Sequence, residues 1–265
     1  MASIASDLSK ENAEARRAAI VDKMIEGGKL YLGCLRFDFS TVSGVETIDK
    51  FQEAFGNNNN APYYCTNDPL LPVCGKMVCY GLTNLMLRHG GVPLPFVNPE
   101  MMKDHRYDDL RYGMGGADEW MSLYYDKIET FDSNGIYPRG TLLLRNFEPL
   151  TQGHTAMLIE ASTTEKALGT CKVLHSAGDM LCPRDKQPEE GTCPGVCIQP
   201  LSDQLEYFSP KYSSWDKDKK FPNVPEPGFD YYQAVLRPEY YINLEEVDKL
   251  AKERASLKEK MKKAG

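Results

Sequence analysis

The chain has 265 residues, 42% of them hydrophobic, and carries 31 Lys and Arg against 38 Asp and Glu, a net charge of −7. That length holds one large or two small domains, and the apolar share suffices for a buried core. The acidic balance argues against a nucleic-acid binder, which needs clustered cations. No apolar run reaches the roughly 18 residues of a membrane-spanning helix.

Residues 3–26 read as a charged helix rich in Ala, Glu and Arg, stopped by Gly27-Gly28. No apolar stretch follows a basic start, so no secretory leader is read. Cytoplasmic synthesis is expected, with leaderless or specialised export left open. Lys29 to Phe39 is apolar and aromatic, a candidate strand. Val45 to Phe55 reads as a helix with Ile48, Phe51, Gln52 and Phe55 on one side, ended by Gly56 and four asparagines, Asn57 to Asn60. Pro62, Pro69 and Pro72 exclude regular structure from 61–73.

From Val78 the pattern turns helical. Val78, Leu82, Leu85, Met86 and His89 fall at i, i+4, i+7, i+8 and i+11; Gly90-Gly91 ends the stripe and Pro93 prevents its resumption. Cys79 sits in the first turn, where unpaired backbone N–H groups and the positive end of the macrodipole favour thiolate. A free cysteine is also a common small core residue. Residues 96–138 are rich in Met, Tyr and Trp and read as an insertion that walls a cleft or fills a satellite core, with Asp118 to Thr130 as a candidate helix.

A strand follows the turn Arg139-Gly140-Thr141 and runs to Arg145, a second turn lies at Thr151-Gln152-Gly153, and His154 to Glu160 reads as a strand with His154 at its mouth. Lys172 to Ser176 is a further strand, with Cys171, Val173 and His175 on one face, and Tyr231 to Arg237 is another. Between them 178–229 reads as a long proline-rich loop. Residues 243–263 form a charged helix with sparse apolar positions, a solvated appendage or a partner-binding arm. Helices first and a strand meander after them give an α+β class.

The chain has eight cysteines. Cys182, Cys193 and Cys197 cluster and are open to a disulfide plus one free thiol, or to part of a metal site; no paired Cys-x2-Cys knuckles support zinc, so no metal or cofactor is expected. Thiol nucleophilic chemistry needs a thiolate, an imidazole within reach and a group that orients the imidazole. His89 lies ten residues beyond Cys79 on one helix, about 15 Å at the helical rise, too far to serve it. His105 is unconstrained. His154 and His175, on strands, can meet if the strands are neighbours. Cys74 is a rival thiol, placed in a loop by Pro72 and Gly75.

The segment Cys79-Tyr80-Gly81-Leu82, with Gly91-Val92-Pro93-Leu94-Pro95 after it, resembles the cysteine motif of the NlpC/P60 papain-like peptidases. Phe55-Gly56 followed by Pro62-Tyr63-Tyr64 is similar to that family's approach loop. Tyr137-Pro138-Arg139-Gly140-Thr141-Leu142, Gly153-His154-Thr155-Ala156-Met157 and Val173-Leu174-His175-Ser176 resemble its strands. The likeness covers about 46–95, 137–177 and 231–237, in the non-permuted Cys, His, His order. Val78 and Tyr80 depart from the family's Asp and Ser, and its Trp-Gly-Gly is missing.

The resemblance implies a papain-like NlpC/P60 fold, with the nucleophile's helix packed on an antiparallel sheet. It implies Cys79 as nucleophile, His154 as general base, His175 as its orienter, and Tyr64, Tyr63, Tyr80 and Gly153 about the substrate. The implied reaction cleaves an amide through a thioester acyl-enzyme, in bacterial peptidoglycan stem peptides at the γ-D-glutamyl–diamino acid bond. The same fold acting on a lipid or a non-wall amide is an alternative, as is an inactive binding module. The organisation expected is an N-terminal extension over 1–45, a catalytic domain over 46–238 with insertions at about 96–138 and 178–229, and a charged C-terminal helix over 239–265, open to a protein partner.

Overall fold

The computed structural model describes residues 2–33, 79–94, 117–145, 154–177, 188–193, 195–207 and 232–264. The class is α+β, mixed helix and antiparallel sheet. Helices α1 (Ala2–Lys29), α2 (Cys79–Gly90) and α3 (Ala117–Leu123) precede strands β1 (Glu129–Thr130), β2 (Leu142–Arg145), β3 (His154–Leu158), β4 (Lys172–Ala177), β5 (Glu190–Gly191) and β6 (Gly195–Pro200). Helix α4 (Leu201–Tyr207), strand β7 (Ala234–Leu236) and helices α5 (Pro238–Tyr241) and α6 (Leu244–Ala264) complete the order. Among the described residues the strands form one seven-stranded sheet, β1-β7-β2-β3-β4-β6-β5. Each pairing is antiparallel.

Both faces of the sheet are covered, so its central strands carry apolar residues on both sides. On one face Leu142, Leu144, Met157, Leu174, Val196 and Ile198 meet α1, α2 and α3. On the other, Leu143, Ala156, Leu158, Val173, Cys197 and Val235 meet Phe131, Tyr137, Leu201 and Tyr232. Helix α2 is buried almost all round, from Cys79 through Leu82, Leu85 and Met86 to Gly90, as a helix sandwiched between a sheet and a second helix must be.

Four local expectations are corrected. Gly27-Gly28 does not end the first helix, which runs to Lys29. The glycines are a crossing point: a Cβ on Gly27 would lie 2.2 Å from His89 Cγ, and one on Gly28 2.7 Å from Leu174 Cδ2. Leu30 to Gly33 is consequently a turn closing α1 rather than the start of a strand. The helix expected over 118–130 stops at Leu123 and the chain becomes strand at Glu129, because β7 offers Val235 and Ala234 as ladder partners. The expected loop 178–229 contains β5, β6 and α4, with β6 paired to β4 along its full length. The helix over 45–55 and the irregular 61–73 lie outside the described residues.

Residues expected to be extensions join the core. Helix α1 supplies Ile20, Val21, Met24 and Ile25 to the helical face, and Leu244 and Val247 of α6 pack against it. Gly140 turns the chain into β2 with φ +90°, a conformation glycine adopts without strain; its N–H donates to Leu158 O at 2.7 Å, and Tyr241 Oη donates to its carbonyl at 2.6 Å.

Candidate functional site

Cys79 is 5% exposed at the first turn of α2. One turn on, the Thr83 hydroxyl lies 3.2 Å from Cys79 O and 3.0 Å from Thr155 Oγ1. The start of the cysteine helix is thereby held against the second residue of β3, whose first residue is His154.

Period-2 alternation sends Thr155 and His154 to opposite faces of the sheet. Thr155 and Met157 face α2; His154, Ala156 and Leu158 face the other layer. The β3–β4 register pairs Met157 with Leu174, which places His175 opposite Ala156 and makes His154 and His175 diagonal neighbours on one face. Their rings meet edge to face, centroids 5.3 Å apart, with His154 Nε2 3.0 Å from His175 Nδ1. They are 2% and 1% exposed, so the hydrogen bond is dry.

The pair continues into a chain. Gln204 Nε2, from α4, lies 3.0 Å from His175 Nε2 and 3.4 Å from its Nδ1. Tyr232 Oη donates to Gln204 Oε1 at 2.5 Å, and the Tyr232 ring sits 6.2 Å from that of His154. Cys197 Sγ of β6 lies 3.5 Å from His175 Nε2. Burial pushes the Cys197 thiol up to about 12, against a smaller lowering by a hydrogen bond from the Ala177 backbone. Such a thiol stays protonated at neutral pH and is a poor nucleophile. Directly across the β2–β3 ladder from His154 stands Arg145, also 2% exposed.

The structure therefore brings His154 and His175 together and places Cys79 on the helix covering the opposite face, tied to the histidine strand through Thr83. Tyr80 is half-buried in the first turn of α2. Tyr63, Tyr64, Gly153, Cys74 and His105 lie outside the described residues. His89 is at the far end of α2, its Nε2 3.2 Å from Tyr31 Oη. Cys193 is disulfide-bonded while Cys197 is a free thiol. Among the described residues no cluster of three or more His, Cys, Asp or Glu could hold a metal ion.

Gln204 escaped the sequence reading because 178–229 reads as loop, and Cys197 entered it only as part of a disulfide or metal cluster, not as a neighbour of His175. Tyr232 fell inside the strand expected over Tyr231 to Arg237 but lies just before the observed β7, and nothing in the sequence signalled its hydroxyl. A buried imidazole whose second nitrogen is engaged by another imidazole is held in one orientation and one tautomer at a time, as a base needs. Comparison with family models, curated proteins and solved structures finds no match to this chain.

Proposed function

We propose that this chain is a cysteine hydrolase of papain-like NlpC/P60 type, cleaving an amide through a thioester acyl-enzyme, with bacterial peptidoglycan stem peptides as the substrate class that the resemblance implies. The observation that carries the reading is the 3.0 Å bond from His154 Nε2 to His175 Nδ1 on neighbouring strands. It engages Nε2 of His154 and supplies the orienting third residue. Cys79, at a helix N-terminus held one contact from β3 by Thr83, is the nucleophile in this reading. The thiolate attacks the amide carbonyl, His154 protonates the leaving amine, and water activated by the same imidazole releases the acyl group.

The experiment is turnover of purified stem peptides, and of lipid esters in parallel, by the chain and by Cys79→Ala. Loss of peptide turnover in the variant supports the reading. Unchanged turnover overturns it, and turnover of the lipid alone moves the substrate to the alternative class.

One observation favours a second reading, a binding module without catalysis: the His154 ring projects from the sheet face opposite α2. A thiol-reactive probe separates the two. Labelling of Cys79 no faster than an exposed model thiol at neutral pH favours the module, and faster labelling that falls with His154→Ala favours the hydrolase.

A further inference from the structure

The geometry points to Gln204, anchored by Tyr232, as the positioning residue that decides which nitrogen of His154 is basic. This rests on the reading of His154 as a base. A carboxamide nitrogen only donates. His175 Nδ1 is engaged by His154 at 3.0 Å, so the acceptor for the Gln204 amide is the nearer nitrogen, Nε2, at 3.0 Å. A neutral imidazole that accepts at Nε2 carries its proton on Nδ1. That proton is donated to His154 Nε2, which puts the proton of neutral His154 on its own Nδ1. The donors run in one direction: Tyr232 Oη to Gln204 Oε1, Gln204 Nε2 to His175 Nε2, His175 Nδ1 to His154 Nε2.

A base working through Nδ1 needs that nitrogen bare, and the resting chain keeps it protonated. Turning the Gln204 amide over reverses every bond. Its Oε1 then accepts from His175 Nε2–H, its N–H donates to Tyr232 Oη, and His175 Nδ1 accepts from His154 Nε2–H. The protons balance. His175 passes its Nδ1 proton to His154 Nε2, His154 Nδ1 gives its proton to water, and His175 Nε2 takes one from water, with no net change of charge. The same reversal must accompany formation of the His154 imidazolium, which carries a proton on both nitrogens. Two further groups near the pair among the described residues are the Cys197 thiol from β6, 3.5 Å from His175 Nε2, and Arg145 of β2, the ladder partner of His154. Neither substitutes for the amide. The thiol donates weakly, and the guanidinium has no acceptor.

The test reads the tautomers directly, on the full chain labelled with ¹⁵N, by long-range ¹H–¹⁵N correlation through a titration between about pH 5 and 9, where imidazoles change charge. Above the titration midpoints the wild type is expected to show Nδ1–H on both His154 and His175. Gln204→Glu offers a fixed acceptor to His175 Nε2–H, so both rings are expected to switch to Nε2–H and the His154 midpoint to rise by about one pH unit. Tyr232→Phe frees the amide and gives His175 a mixture of tautomers.

Nε2–H on wild-type His175, or a Gln204→Glu spectrum with both tautomers unchanged, overturns the assignment. The wild-type spectrum decides even where a variant fails to fold. The hydrolase reading can fail by its own peptide assay while this tautomer pattern stands, and the reverse.

Discussion

Thr83 and Thr155 place their hydroxyls 3.0 Å apart in the buried seam between α2 and β3. The pair is a polar joint between the cysteine helix and the histidine strand, beside a mainly apolar cluster. Thr83→Val strands the Thr155 hydroxyl, at about 1–3 kcal/mol, whereas Thr155→Val leaves Thr83 donating to Cys79 O and replacing both removes the demand. Thr83→Val is expected to destabilise by that amount, Thr155→Val by less, and the double variant by clearly less than their sum. Urea denaturation of the four proteins in a double-mutant cycle measures this. Strict additivity would show that the joint carries no coupling.

His175→Ala is expected to remove the partner of His154 Nε2 and the acceptor of the Gln204 amide in a dry site, costing about 1–3 kcal/mol of stability. If the proposed hydrolysis is right, activity falls by about 10²- to 10⁴-fold, the usual range for lost acid–base assistance. His175→Gln, which keeps an amide for His154, should recover part of both. Thermal melts beside peptide turnover check the two effects separately. A full loss of activity with unchanged stability in His175→Ala would place His175 outside the polar chain.

The Cys197 thiol predicts a pH dependence with a definite sign. Unfolded, it ionises near pH 8.5; folded, burial holds it protonated to about 12. The unfolded state loses its proton first, so the stabilisation is complete below about pH 8.5 and is lost as pH rises toward the folded value. Relative to Cys197→Val, the wild type should lose about 1.4 kcal/mol per pH unit above about pH 9. Denaturant midpoints of both proteins at neutral and alkaline pH provide the comparison. Parallel curves would exclude the buried thiol as their source.

Gly27 sits inside a helix, where alanine would ordinarily gain about 1 kcal/mol. Here a Cβ would lie 2.2 Å from His89 Cγ and 2.3 Å from its Cβ, atoms too close to their backbone to swing aside. Overpacking of this kind costs about 1–3 kcal/mol. Gly27→Ala is therefore expected to destabilise by up to about 2 kcal/mol net and to weaken the Tyr31–His89 hydrogen bond. A denaturation midpoint above the wild type would show that α1 and α2 separate without strain.

The sequence by itself determined the helix from Cys79 to Gly90, because an apolar stripe and a double-glycine stop are local signals. It also determined the strands carrying Leu142, His154 and His175, and the shared face of Val173 and His175, since alternation needs no knowledge of neighbours. It misread Gly27-Gly28 as a stop because a glycine serving a helix crossing looks the same in sequence as one serving a cap. It missed β6 because a six-residue strand framed by Gly195 and Pro200 reads as loop until β4 supplies its hydrogen bonds. Only the tertiary structure decided which face of β3 the cysteine helix covers. It also decided that Gln204 and Tyr232, from segments distant in the chain, close on His175. Those facts depend on strand register and layer order, which are set by long-range packing and leave no trace in any single window of residues.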